Sequence, residues 1–258
     1  MTVRRVLNNG CVARLLAMVI VLGIALGVTA LVEHLNAPKP VAPLLIGHAP
    51  ATSTGHVDVS QEADDDGYAP AEDWPNACDF LTDQDIRSIL PQLTGPIQRT
   101  PSDVQIDVFD VSGQTAGENI DVPDANCKIT FHLPNSDNDS DYPSNGESEI
   151  DVGVDAVGDP ATLQQNVQSD SDDSQSVEQG CAYRAGYTDY LCGHLQVGVS
   201  LSSLDVTDRS DEDTPVDRIQ VGGKVTTFHS GDSAAESKFE DTYVTPELVK
   251  AMLAKLAQ

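Results

Sequence analysis

Basic residues are scarce in this chain of 258 residues: 14 Lys and Arg stand against 41 Asp and Glu, a formal net charge of −27. The scarcity is uneven. Residues 1–32 hold Arg4, Arg5 and Arg14 and no acid, which leaves eleven of the 14 bases and all 41 acids to the remainder, a formal −30. Such a surface repels phosphate backbones and anionic headgroups, which excludes nucleic-acid binding. Other absences exclude chemistries. No C-x-x-C occurs and no His lies in a ligand pattern with a cysteine, which argues against zinc. The six histidines include no i, i+4 pair, so a histidine metal centre is not expected. There is no G-x-S-x-G, no thiol–base order of a familiar hydrolase and no glycine-rich phosphate loop. No internal repeat is present. Neither a cofactor nor a resident metal is expected.

What is present begins with Leu15 to Val32, eighteen residues without a charge. As a helix they reach ~27 Å, close to the hydrocarbon thickness of a bilayer. Three arginines precede the run and Glu33 follows it, so the positive-inside bias puts residues 1–14 in the cytoplasm as a stub and everything after residue 32 outside. Val28-Thr29-Ala30 has the small-x-small form of a signal-peptide cleavage site. The apolar run continues past it, which favours an uncleaved, single-pass signal-anchor in the cell membrane.

Four cysteines follow the apolar run: Cys78, Cys127, Cys181 and Cys192. An even count in an oxidising compartment predicts two disulfides, with three possible connectivities. Pairing Cys78 with Cys127 and Cys181 with Cys192 closes the smaller loops and is preferred. Cys11 precedes the apolar run, so it is no lipoprotein cysteine.

Pro38, Pro40, Pro43 and Pro50, together with Asp64-Asp65-Asp66, predict a disordered tether over 33–73. The extracytoplasmic domain is expected over 74–258. Thr82 and Asp85 form a variant capping box ahead of a helical stripe of Phe80, Ile86, Ile89, Leu90 and Leu93. Period-2 alternation then predicts strands at Val104–Val108, Cys127–Leu133, Ile150–Val154, a single run from Leu191 to Leu201, and one or two around Ile219–Thr227, with Gly222-Gly223 as a turn. Asp159-Pro160 predicts a helix start. Thr245-Pro246 predicts another, with Leu248, Val249, Met252, Leu253 and Leu256 on the apolar side and Lys250 and Lys255 on the polar side. Residues 112–124, 135–148 and 169–179 read as loops. The fold class is α+β: a curved, mostly antiparallel sheet with two or three packed helices.

Candidate sites are few. Tyr183, Arg184, Tyr187 and Tyr190, around Cys181 and Cys192, are the first choice for a ligand-binding loop, against packing around a disulfide. The carboxylates of 137–141 alternate as in an EF-hand, but Tyr142 replaces the required glycine and Ser148 the bidentate Glu. Asp208, Asp211, Glu212 and Asp213 form a second acidic cluster; both read as solvated loops, with a calcium-binding envelope protein as the alternative. Gly231-Asp232-Ser233 suggests a hydrolase nucleophile with His194 or His229, but Ala234-Ala235 stand where oxyanion-hole glycine is needed.

The segment Trp74-Pro75-Asn76-Ala77-Cys78-Asp79-Phe80-Leu81-Thr82, with its helix and Gly95, resembles the opening of an exported actinobacterial domain family of unknown function. Members are often lipoproteins and begin Asp-Pro-Cys-x-Leu-Leu-Thr. Cys127-Lys128-Ile129-Thr130-Phe131 and Cys181-Ala182-Tyr183 match its later cysteine-before-strand pattern. The organisation is also similar to that of the extracellular sensor domains of mycobacterial serine/threonine kinases. The resemblance implies an exported, disulfide-bonded α+β fold with a ligand cleft. It transfers no catalytic residue, and Asn-Ala stands here where Asp-Pro is usual. The leading expectation is a membrane-anchored, non-enzymatic cell-envelope protein that binds a protein or small-ligand partner, with a secreted or anchored hydrolase using Ser233 and a calcium-binding envelope protein as the alternatives.

Overall fold

The computed structural model describes residues 19–20, 42–52, 55–58, 74–109, 120–133, 147–158, 176–178, 181–183, 189–192, 195–204, 207–208, 216–229 and 232–256. Residues 1–40 and 41–258 form separate units. Of the apolar segment 15–32, only Val19 and Ile20 are described. Among the described residues no helix is long and apolar enough to cross a membrane.

The second unit is α+β; among the described residues it has two sheets and three α-helices, the last two joined by a π-helical turn. Strands β1 (Leu44–Ile46) and β2 (Thr94–Phe109) flank helix α1 (Asp83–Ile89) in sequence. Next come β3 (Ile120–His132), β4 (Glu147–Gly158), β5 (Ser176–Glu178), β6 (Cys181–Tyr183), β7 (Asp189–Cys192) and β8 (Leu195–Ser203). The chain closes with β9 (Thr207–Asp208), β10 (Val216–Val221), β11 (Lys224–His229), α2 (Ser233–Phe239), a π-helical turn over Glu240–Val244, and α3 (Thr245–Leu256). The large sheet runs β2-β3-β4-β8-β7-β6-β5 and is antiparallel except where the end of β2 reaches β4. The small sheet runs β1-β10-β11, with β9 also on β10.

Alternation explains the large sheet. Cys127, Ile129 and Phe131 of β3 and Ile150, Val152 and Val154 of β4 are buried, while Lys128, Glu149 and Asp151 face the other way. Val197 and Val199 continue the apolar face on β8. Helix α3 covers it, packing on β8 and α1. Each strand thus buries one face and wets the other, as antiparallel sheets do. The Cys78–Cys127 disulfide, Cα–Cα 5.0 Å, ties the turn before α1 to β3.

Local chemistry sets α1. Thr82 caps it: Asp85 donates its backbone N–H to Thr82 Oγ1 at 3.3 Å, and Thr82 N–H returns the bond to Asp85 Oδ2 at 2.7 Å. Arg99 on β2 pairs with Asp83 and donates to the carbonyl of Leu81, fastening the helix start to the sheet.

Several sequence expectations are corrected. Part of the supposed tether belongs to the fold. Leu44, Ile46 and Val57 are buried, and β1 lies parallel to β10. Gly47 N–H donates to Ile89 O at 2.8 Å, Ala49 N–H to Glu247 Oε2 at 2.8 Å, and Val57 N–H to Lys255 O at 3.0 Å. Pro43 and Pro50 lie either side of β1 and leave it intact, since neither needs to donate to the ladder. Residues 59–73 lie outside the described residues. Ile120–Asp124, expected in a loop, open β3; Asp124 at φ 54 shifts the alternation so that Val122 and Ala125 both face inward. The single run expected over Leu191–Leu201 is two strands in a hairpin, with Cys192 opposite Leu195. Gly222 and Gly223, at φ 54 and 83, make the expected turn. Of the loops read over 135–148 and 169–179, only Glu147–Ser148 and Ser176–Glu178 are described, each in a strand; the helix expected after Asp159 lies outside the described residues.

The last α-helix begins at Thr245 as expected, but Thr245 is no N-cap: its backbone is already helical and runs on from the π turn. Asp232 caps α2, accepting from Ala235 N–H at 3.2 Å, and helical backbone continues to Leu256. Pro246 cannot donate back into the preceding turn and its ring crowds that turn's carbonyl. The wider π turn over Glu240–Val244 accommodates it within the helix. Lys255 is not on the polar side either. It is 1 % exposed, with Nζ 2.6 Å from Oδ2 of Asp85, itself 1 % exposed. The ammonium lies off the directions that make a hydrogen bond, so the contact is a charge pair. It joins α1 to α3 within the core.

Candidate functional site

The expected tyrosine loop sits on a stapled hairpin. Strands β6 and β7 pair Ala182 with Leu191 and Tyr183 with Tyr190, and the Cys181–Cys192 disulfide, Cα–Cα 4.6 Å, closes their base. Both cysteines are buried, as are Leu191 and Leu195 next to them. The connection 184–188 therefore springs from a base held covalently and by packing. Tyr190 is 7 % exposed and belongs to the core, so it offers little surface to a ligand. Tyr183 is placed on β6 by its backbone register; its side chain, and all of Arg184 and Tyr187, lie outside the described residues. The pairing of all four cysteines in disulfides leaves no thiolate among them for zinc.

A second polar surface is the wet face of the large sheet. Register places Thr100, Lys128, Asp151 and Ser200 in one row across β2, β3, β4 and β8. Lys128 Nζ lies 2.7 Å from Glu149 Oε2. That hydrogen bond raises the lysine pKa above its ordinary value against slight desolvation, and the Glu149, Asp151 and Glu147 charges add to it. Such an ammonium stays protonated and cannot serve as a nucleophile or base near neutral pH. His132 Nε2 approaches Glu147 Oε1 at 3.7 Å at the end of the same strand pair. The surface suits binding of polar groups rather than covalent chemistry.

Sequence reading missed Glu240. It sits in the π turn, and burial pushes its carboxyl up to about 7, with the Glu236 and Asp241 charges adding. The signal was legible: Glu236 and Glu240 are like charges four residues apart, and Asp241 follows. A carboxyl near neutrality can exchange protons at physiological pH. Glu247, about two turns on, behaves oppositely. Burial alone would raise its pKa; hydrogen bonds from Lys250, the Ala49 N–H and His48 hold it below the usual range.

Ser233 is the first residue of α2, and the Asp232 carboxylate beside it is engaged in capping. His229 is exposed at the end of β11. The Ser233 side chain and His194 lie outside the described residues. So do the acidic residues 137–141 and 211–213; Asp208 is placed on β9 by its backbone alone. Among the described residues no group of three or more His, Cys, Asp or Glu is arranged to hold a metal ion. No family model, no curated protein and no solved structure matches the chain.

Proposed function

We propose that this chain is a membrane-anchored, extracytoplasmic binding protein of the cell envelope. Its globular unit presents the 184–188 loop to a protein or small-ligand partner. The observation that carries the reading is the pairing of all four cysteines beyond the apolar segment into disulfides. Structural disulfides persist in oxidising compartments. The charge split across Leu15–Val32 supports the same orientation through the positive-inside bias. The stapled hairpin supports the choice of loop. A rigid base lowers the ordering cost of binding, and Arg184 and Tyr187 are residue types that anchor interfaces.

A photo-crosslinking residue at position 187, in cells expressing the full chain, tests this. The expected result is a discrete adduct in the membrane fraction that Arg184→Ala reduces at least tenfold without moving the thermal midpoint. A chain found with free thiols in the cytosol would remove the envelope assignment. An envelope-located chain that forms no adduct beyond background would remove the loop as the binding surface.

A further inference from the structure

The β10–β11 hairpin ends the small sheet with an edge that no described strand covers and that carries Lys224 at its start as its one blunting charge. β11 pairs with β10 on one side, and among the described residues no strand pairs with its other side. Lys224, Val225, Thr226 and Thr227 are all exposed, Val225 at 45 %. By contrast β2, at the edge of the large sheet, contains Pro96 and Pro101, and β1 is three residues long. Prolines and short strands are two ways in which sheet edges are blunted. β11 has β-branched residues at 225, 226 and 227, no proline and no acid.

The register defines what this edge accepts. A two-residue turn makes Val221 and Lys224 a hydrogen-bonded pair, and Ile219 with Thr226 is the next one in the ladder. Val225 and Thr227 then direct their N–H and C=O groups outward. A second β11 related by a two-fold axis pairs antiparallel only if outward residues oppose outward residues. Centring the axis on Thr226 achieves this. Val225 opposes Thr227 of the second copy, twice over, and Thr226 opposes its counterpart. Four backbone hydrogen bonds and three β-branched cross-strand pairs result. Leu45, 36 % exposed, shares a row with Gln220 and Val225, so two exposed apolar residues flank a polar one on that row. Charge favours the same contact. Residues 216–229 contain Arg218 and Lys224 against Asp217, in a chain of net −27. Here two copies can meet without setting acid against acid.

We propose that β11 pairs with β11 of a second copy of this chain, joining two small sheets into one. The inference stands whether or not Leu15–Val32 spans a membrane. The overlap is short and buries less than the ~1,200 Å² of a standard interface, so the association is weak and best read by trapping. In a non-hydrogen-bonded pair the Cα atoms lie ~4.5 Å apart, within disulfide reach. Full chain carrying Cys11→Ser and Thr226→Cys should therefore form a disulfide dimer at least tenfold faster than chain carrying Cys11→Ser and Thr100→Cys, an exposed site on β2. Val225→Pro removes an outward N–H and no hairpin bond. Added to Thr226→Cys, it should lower the dimer yield at least tenfold while the monomer's thermal midpoint stays unchanged. Thr227→Lys should do the same if the proline disturbs the hairpin. Equal rates at 226 and 100, or a yield that neither edge variant lowers, would overturn the proposal.

Discussion

Removing the carboxylate of Asp85 should be among the most damaging single changes in this domain. Asp85 and Lys255 are each 1 % exposed, and Nζ lies 2.6 Å from Oδ2. No acceptor serves Lys255 Nζ within hydrogen-bonding geometry, so the Asp85 charge is its compensation. Asp85→Ala thus leaves a buried ammonium uncompensated, at a cost of about 3–5 kcal/mol. It also dissolves the capping box, at about 1 kcal/mol. Lys255→Met is milder, about 2–3 kcal/mol, because Asp85 Oδ2 keeps the Thr82 N–H at 2.7 Å and the Thr82 hydroxyl at 2.6 Å. The double variant Asp85→Asn/Lys255→Met keeps an acceptor for Thr82 and buries no charge; it should lie within about 1 kcal/mol of the parent. At roughly 2–4 °C per kcal/mol for a unit of this size, Asp85→Ala should lower the thermal midpoint by about 10–20 °C. Urea unfolding followed by circular dichroism, with disulfides intact, measures all of these. The reasoning fails if Asp85→Ala costs no more than an ordinary cap, or if Asp85→Asn and Lys255→Met add with a coupling below about 0.5 kcal/mol.

Two further outcomes follow from single residues. The folded pKa of Glu240, about 7, exceeds the 4.5 of the free carboxyl, so between these values the folded chain binds more protons than the unfolded one. Its contribution to stability is fully present below pH 4.5 and is lost as pH rises through 7. Glu240 is partly solvated, so screening holds the loss to about 1–2 kcal/mol. Glu240→Gln should remove that slope and stabilise the protein at pH 8, as read from midpoints across pH 4–8. A Cβ at Gly47 would fall 2.1 Å from the backbone carbonyl oxygen of Ser88. Gly47→Ala should therefore cost about 1–3 kcal/mol and expose the 42–58 strap to limited proteolysis.

Local signals carried much of the fold into the sequence. The Thr82–Asp85 box, the alternation in β3 and β4 and the Gly222-Gly223 turn all depend on neighbours a few residues away. Tertiary effects account for the departures. The strap 44–57 reads as proline-broken and polar because its partners are β10, Ile89, Glu247 and Lys255, far along the chain. Thr245-Pro246 looks like a helix start because the π turn that absorbs the proline leaves no sequence signature of its own. Lys255 was legible in part: seven residues after Leu248, it falls on the apolar side of α3. Only the fold brings Asp85 opposite it. The tyrosine loop was half legible. Cysteine spacing suggested the staple, but only packing decided that Tyr190 turns inward.

Composition and order alone set the charge split, the apolar segment before the acidic chain, the even number of cysteines after it and the period-2 strands, because each is a property of adjacent or regularly spaced residues. Tertiary structure alone decided how much of the proline-rich stretch joins the body, which lysine is buried, that the last helix continues from the one before it, and which sheet edge no described strand covers. Those outcomes depend on what each residue meets across the fold, and burial energies are decided by that meeting.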